Sequence, residues 1–341
     1  MKFLDLFAGI GGFRLGMEAA GHECIGFCEK DKFARASYKS IFNTEGEIEI
    51  HDITTVSDQF IQSIGHVDII CGGFPCQAFS IAGSRKGFGD TRGTLFFEIA
   101  RFTSILKPNI LFLENVKGLL NHNNGETFQV ILNTLDELGY NVEWQLLNSK
   151  HFGVPQNRER VFIIGHLRNG SRRKIFPIGK TIENINGGID DGLQIKRYGT
   201  LQPNFNQSGV IYDVEGIAPT LRAYQGGNLE PKIRIKEATK KGYSEASIGD
   251  SVNLSHPNSK TRRGRVGKGI ANTLLTSDEQ CVVDKNYRIR KLTPKECWRL
   301  QGFPDWAFER AANVNSNSQL YKQAGNSVTV NVIEAIAKEF I

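Results

Sequence analysis

The first half of the chain alternates short apolar runs with amphipathic helical stretches, and this alternation leaves few folds open. Phe3-Leu4-Asp5-Leu6-Phe7 is the first run, and it ends in Ala8-Gly9-Ile10-Gly11-Gly12. Cys24-Ile25-Gly26-Phe27-Cys28 ends at Glu29, Val67 to Cys71 ends at Gly72-Gly73, and Ile110 to Leu113 ends at Glu114-Asn115. Asn141 to Leu147 and Val161 to Ile164 read as further strands. Between them, Phe13, Leu15, Met17 and Ala20 mark one helical pattern, and Phe128 to Leu138 marks another. Strands that alternate with helices form a mostly parallel sheet covered by helices, an α/β fold. Such sheets bind ligands beyond the carboxyl ends of their strands. The Gly-rich turn, Glu29, the segment after Cys71 and Glu114 all fall on that edge.

The 341 residues suffice for one large domain or two unequal ones, and the pattern breaks after about residue 167. Gly, Asn, Ser and basic residues dominate the next ~120 positions, where no helix period survives. Residues 167–287 carry 19 Lys and Arg against 12 Asp and Glu, a net of +7; the remainder carries 23 against 24, a net of −1. The whole basic excess therefore lies in an irregular second domain. A solvated basic surface and a polyanion-binding surface both fit that charge. The segment repeats a small pattern, Gly216-Ile217-Ala218-Pro219-Thr220-Leu221 and Gly269-Ile270-Ala271-Asn272-Thr273-Leu274. Order returns near Thr293, which can N-cap a helix begun by Pro294. The chain closes on a helix from about Val328 to Phe340. Its longest apolar stretches are strand-sized, and Asp5 stands where a signal peptide needs an apolar core, so the expected location is the cytoplasm. Six cysteines include no CxxC pair and no Cys/His cluster at zinc spacing, so no metal site is expected.

Four places on the sheet edge carry chemistry. The glycines of the first turn let backbone approach a ligand closely, but their spacing is not GxGxxG. Glu29, at the end of the next strand, can accept from both ribose hydroxyls, and Asp52-Ile53 can hold an adenine. This set suits a nucleoside cofactor without a demanding phosphate site. In Gly72-Gly73-Phe74-Pro75-Cys76-Gln77, a cysteine after Gly-Gly-x-Pro is held on rigid backbone at a strand end. The stretch from Gln77 to Gly93, rich in Gly, Ser, Arg and Lys, has the composition of a mobile lid. Glu114 follows a wholly apolar run, and a buried Glu can hold a proton near neutral pH. Gln156-Asn157-Arg158-Glu159-Arg160 precedes a strand, where a surface charge run is the bland alternative.

Taken in order, these residues closely resemble the DNA cytosine-5 methyltransferases, especially the small bacterial enzymes of restriction–modification systems. The resemblance runs through Asp5 to Gly12, Gly73-Phe74-Pro75-Cys76-Gln77-Ala78-Phe79-Ser80, Arg92-Gly93-Thr94-Leu95-Phe96-Phe97 and Glu114-Asn115-Val116. It continues through Gln156 to Arg160, Arg290 to Cys297, and Gln323-Ala324-Gly325-Asn326-Ser327-Val328. It implies a Rossmann-like, S-adenosylmethionine-dependent methyltransferase domain plus a smaller, irregular target-recognition domain. The first would be discontinuous, residues 1–166 and 318–341; the second would span 167–317, with 288–305 shaping its base. By the same resemblance Cys76 adds to C6 of a flipped cytosine, Glu114 holds N3 and the exocyclic amine, Arg160 binds O2, and Arg158 stabilises charge near Cys76. Phe7, Ala8, Gly9, Gly12, Glu29, Lys30, Asp52, Ile53, Pro75, Leu95, Asn326, Ser327 and Val328 would line the cofactor pocket. The family often carries Trp after the ribose-binding Glu, where this chain has Lys30.

DNA contacts are expected from Ser80, Arg92, Gln207, Arg222, Tyr224, Arg263 and Arg265, with Gln207 filling the space left by the flipped base. The Thr-Leu pair typical of the recognition domain has two candidates. Local sequence favours Thr220-Leu221, and distance from Arg290 favours Thr273-Leu274. The implied partner is double-stranded DNA, bound by a monomer, and the resemblance allows a cognate restriction endonuclease that forms no stable complex with it. On the residues alone, an RNA cytosine methyltransferase on the same scaffold, a silent DNA-binding module and a nicotinamide-dependent oxidoreductase stay open.

Overall fold

A computed structural model describes residues 1–75, 95–168, 174–178, 211–213, 232–255, 259–274, 276, 280–285 and 288–340. The chain divides into two compact units: residues 1–178, 274–277 and 293–341 form the first, and residues 179–273 and 278–292 form the second.

The first unit is built on a seven-stranded sheet. Its strands are β1 (Lys2–Leu6), β2 (Glu23–Cys28), β3 (Ile48–Ile50), β4 (Ile69–Gly73), β5 (Ile110–Val116), β6 (Tyr140–Asn148) and β7 (Glu159–Leu167). Their order is β3-β2-β1-β4-β5-β7-β6; β1 to β5 run parallel, and β7 lies antiparallel to both neighbours. The helices are α1 (Gly12–Ala19), α2 (Lys32–Ile41), α3 (Asp58–Ser63), α4 (Leu95–Leu106), α5 (Glu126–Glu137), α6 (Pro294–Leu300), α7 (Asp305–Ala312), α8 (Asn317–Asn326) and α9 (Val330–Ala337).

The central parallel strands are mostly apolar because both faces of the sheet are covered there. Leu4, Leu6, Ile70, Leu111, Leu113 and Ile163 pack with Ile61 of α3, Phe96, Ile99 and Phe102 of α4, and Phe128 and Ile131 of α5. The alternate residues Phe3, Ile69, Cys71, Phe112, Phe162 and Ile164 pack with Phe13 and Met17 of α1 and with Ile333 and Ile336 of α9. Gly16 makes the second layer possible. A Cβ there would stand 2.7 Å from the Ile333 Cβ, so only glycine lets α9 close on α1. The two ends of the chain are thereby joined in one core. Strand order reverses direction of travel at β1, between β2 and β4, and the crevice beyond the ends of β1 and β4 is where such sheets bind ligands.

The unit boundaries differ from the sequence expectation at three places, residues 167–178, 274–277 and 293–317. Residues 293–317, expected with the recognition domain, fold in the first unit. Thr293 and Glu296 form a capping box that starts α6 as the sequence predicts, and α6 then buries Trp298 completely. The Trp298 indole donates to the Leu320 carbonyl at 3.0 Å and packs edge-on against Phe303 and Phe308. Arg310 of α7 donates to the Ile41 carbonyl at 2.7 Å, which ties α7 to α2. Residues 174–178 also stay with the first unit. Ile175 and Phe176 are buried in the α1–α9 core, and their N–H groups donate to the Glu143 carboxylate of β6 at 2.9 and 3.0 Å.

The second unit holds two small sheets rather than irregular chain alone. One has the order β10 (Tyr243–Ala246), β9 (Lys232–Lys236), β8 (Ile211–Asp213). The other has the order β12 (Val266–Gly267), β11 (Ser251–Asn253), β13 (Gln280–Val283), β14 (Ile289–Lys291). Their shared core is Ile233, Ile235, Ala246, Val252, Cys281 and Val283. Among the described residues, no helix of the chain is long and apolar enough to cross a membrane.

Candidate active site

The turn after β1 is bent by three residues in the left-handed region: Phe7 at φ 58°, Gly9 at 57° and Gly11 at 85°. Glycine costs little there, whereas Phe7 carries strain that only a fixed turn sustains. A Cβ added at Gly9 would meet nothing within 4 Å, so open space lies beside this backbone. Glu29, just past the end of β2, anchors the turn. One carboxylate oxygen accepts from the Gly9 N–H at 2.8 Å and the other from the Asp31 N–H at 2.6 Å. Burial pushes the Glu29 carboxyl above its usual range, against the pull of those two N–H donors. Each oxygen keeps a further lone pair, as ribose hydroxyls require. Lys30, standing where the family often has Trp, reaches Asp52 at 2.7 Å and holds that carboxyl down to about 2. Ile53 is buried, and Phe7 and Leu95 pack on the same core. An open glycine turn, a carboxylate with free acceptor capacity and an apolar wall fit the nucleoside end of S-adenosylmethionine.

The far end of the chain reaches the same place. Gly12 faces Ser327 and Val328 so closely that a Cβ would stand 2.8 Å from both side chains. Ser327 and Val328 are buried, and Asn326, the last residue of α8, is exposed. A Cβ at Gly73 would lie 3.1 Å from Glu114 Oε2 and 3.6 Å from Val328. The first turn, the end of β4, the end of β5 and the Ser327-Val328 segment thus converge on one spot.

Glu114 is 7% exposed, and burial raises its carboxyl above the usual range although Arg160 and Arg158 oppose the shift. Arg160 Nε lies 3.0 Å from Glu114 Oε1 as an ion pair, yet that oxygen has no aligned hydrogen bond. The ion pair therefore leaves acceptor capacity on this buried carboxylate that a ligand can use. Asn115, next along β5, donates to the Phe74 carbonyl at 2.8 Å. It fixes the backbone just ahead of Pro75 and Cys76. Pro75 is the last described residue of that segment, and it is exposed.

Arg158 behaves differently from Arg160. It is 3% exposed, and its guanidinium donates to three backbone carbonyls: Ser327 at 2.7 Å, Gly325 at 3.3 Å and Leu274 at 3.4 Å. Desolvation and Arg160 pull it below its ordinary value, with Glu114 working in the other direction. Gln156, which the motif includes without a role, is fully buried and makes two hydrogen bonds of its own. A buried amide two residues before a buried guanidinium carries no sequence signal beyond the motif.

Cys76, Ser80, Arg92, Gln207, Thr220, Leu221, Arg222 and Tyr224 lie outside the described residues. In the second unit, Arg263 is exposed and Thr273 is half-buried. Arg265, expected to contact DNA, is corrected by the structure. It is 3% exposed, and its guanidinium donates to the carbonyls of Asn253 at 3.2 Å and Ser255 at 2.7 Å. Its backbone pairs with Asn253 too, so the side chain folds inward onto carbonyls of its own unit.

The family model for C-5 cytosine-specific DNA methylase matches residues 1–341. The type II methyltransferase M.HhaI of Haemophilus parahaemolyticus is 38% identical over 342 residues, covering 99% of this chain and 93% of that protein. The orphan methyltransferase M.SPRI of Bacillus phage SPR is 32% identical over 432 residues, covering 100% of this chain and 97% of that protein. Among solved structures, a mutant of Spodoptera frugiperda DNMT2 superposes with a TM-score of 0.57 at 19% identity, covering 99% of this chain and 98% of that one; this likeness shows the fold alone. The match of the family model over residues 1–341, with relatives 32–38% identical across the chain, places it in the family of C-5 cytosine-specific DNA methylases.

Proposed function

We propose that this methyltransferase uses S-adenosylmethionine to methylate C5 of a cytosine flipped out of double-stranded DNA, through a transient bond between Cys76 and C6. The observation that carries the reading is the convergence at the ends of β4 and β5. There a buried Glu114 is ion-paired with Arg160, and Asn115 fixes the backbone leading to Cys76.

The chemistry follows from these groups. A cytosine within a duplex is out of reach, so the base is extruded first. C5 is a poor nucleophile until the Cys76 thiolate adds to C6, which moves an electron pair toward C5. Glu114 holds N3 and the exocyclic amine, and its raised proton affinity lets it place a proton at N3 as the ring gains charge. Arg160 binds O2. Arg158 is held on the Ser327 carbonyl and contributes positive charge that stabilises the developing anion near Cys76. S-adenosylmethionine supplies, when bound, an electrophilic methyl group. Loss of the C5 proton then returns the electron pair that expels Cys76 as thiolate.

Residues 179–273 and 278–292 serve target recognition, because the basic excess of the chain lies within 167–287 and the catalytic motifs lie outside it. The enzyme works as a cytoplasmic monomer on DNA, with no stable complex to a nuclease. Expression in cells free of cytosine methylation, followed by bisulfite sequencing, tests the reading. Protected cytosines at one short DNA motif are expected. Protection confined to RNA, with all DNA cytosines converted, would overturn it.

A further inference from the structure

We infer that Gln156 is a positioning residue for DNA recognition: with Arg158 it seats a strap of chain at Leu274, and this seat sets how well target DNA binds. The inference rests on the assignment of residues 179–273 and 278–292 to target recognition.

Residues 274–277 belong to the first unit, although the chain on both sides of them belongs to the second. Leu274 therefore lies in the first unit, and the chain enters the second unit at the preceding residue, Thr273. Both backbone groups of Leu274 are taken by the first unit's side chains. Gln156 Oε1 accepts from the Leu274 N–H at 3.2 Å, and Arg158 Nη1 donates to the Leu274 carbonyl at 3.4 Å. The Leu274 side chain is 4% exposed.

The same two residues are fastened on their other sides. Gln156 Nε2 donates at 2.8 Å to the Leu300 carbonyl, the last of α6. Arg158 Nη2 donates to Gly325 and Ser327, next to the Val328 that approaches Gly73 and Glu114. Burying an amide and a guanidinium is costly unless their groups are paired. Neither side chain serves the sheet, since β7 begins at Glu159. What they hold in common is the strap. One clamp thus joins Leu274 to the segment that lines the catalytic spot, all within the first unit. Of the two candidate Thr-Leu pairs, Thr273-Leu274 is the one anchored among the described residues.

Gln156→Met keeps length and volume but makes no hydrogen bond. Gln301→Met is its matched comparison. Gln301 is also fully buried with two side-chain hydrogen bonds, to Ala324 O at 2.7 Å and from Thr329 Oγ1 at 3.0 Å, and neither involves Leu274. Methyl transfer from tritiated S-adenosylmethionine to unmethylated bacterial genomic DNA is measured with the full-length enzyme. For Gln156→Met, KM for DNA is expected to rise about tenfold, as expected for two lost hydrogen bonds of modest net strength. Its kcat and its Kd for S-adenosylhomocysteine should stay within about twofold of wild type. Gln301→Met should lower the melting temperature comparably while leaving KM for DNA unchanged. Equal KM increases in the two variants, or a fall in kcat without a KM change, would overturn the assignment. If Gln156→Met does not fold, hydrogen exchange on the wild-type enzyme decides: slow exchange of the Leu274 amide supports the clamp, and exchange at the rate of open chain contradicts it. A wild-type enzyme that methylates no DNA in the same assay would instead count against the proposed function, which the exchange measurement does not address.

Discussion

Cys76→Ser is expected to lower methyl transfer by about 10³-fold or more, because a serine hydroxyl is almost wholly un-ionised near pH 7 whereas a cysteine is a few per cent thiolate even at its free pKa. The step lost is addition to C6, and without it C5 stays unreactive. Cofactor binding should survive. The residues assigned to it, Gly9, Glu29 and Val328, are placed by backbone geometry and by the Glu29 hydrogen bonds, none of which involves Cys76. Single-turnover methylation and calorimetry with S-adenosylhomocysteine separate the two effects. A serine variant that methylates at near wild-type rate, or one that loses cofactor binding in parallel, would contradict the assignment.

Glu114→Gln should lower kcat by about 10²–10⁴-fold, the range for removing a positioned acid. The amide keeps the shape and can still face the base, so binding of duplex DNA changes less than turnover does. The pH profile provides the sharper test. The folded-state pKa of Glu114 is raised, mainly by burial, so the proton is held to higher pH than in an ordinary Glu. Activity that needs this proton falls as pH rises through the raised value, while thiolate formation at Cys76 rises with pH. The wild-type profile is therefore bell-shaped, and the Gln variant loses the descending limb. The same shift has a stability consequence. The stability that comes from the protonated form is fully present below the ordinary Glu pKa and is lost as pH rises through the raised one. Glu114→Gln should lack that loss, so melting temperatures of variant and wild type should diverge in the variant's favour across this window.

Much of this architecture can be read from the chain because parallel strands buried on both faces must be apolar throughout. Ile69 to Cys71 and Leu111 to Leu113 are such runs, Phe3 to Leu6 is one apart from Asp5, and each delivers the next few residues of the chain to the carboxyl edge. The burial of Glu114 arises from its run in the same way. Other features depend on tertiary packing that no local pattern encodes. Residues 293–317 join the first unit because Trp298 finds Leu320, Phe303 and Phe308. Net charge locates the basic segment but does not say which arginine turns inward. Arg262, Arg263 and Arg265 look alike in sequence, yet Arg265 is drawn in by the Asn253 and Ser255 carbonyls. Gln156 and Asn115 had no predicted role, since their value lies in which remote carbonyl or N–H they meet.

The bond between Cys76 and C6 is the centre of the account, and it can be trapped. A duplex carrying 5-fluorocytosine at the methylated position allows addition and methyl transfer but cannot lose fluorine as a proton, so the enzyme should remain attached. Incubation with S-adenosylmethionine, denaturation and electrophoresis should show a protein–DNA species that resists denaturant, with Cys76 as the modified residue in a peptide digest; Cys76→Ser should give none. Bound DNA that leaves no such species with the wild-type enzyme would contradict the mechanism.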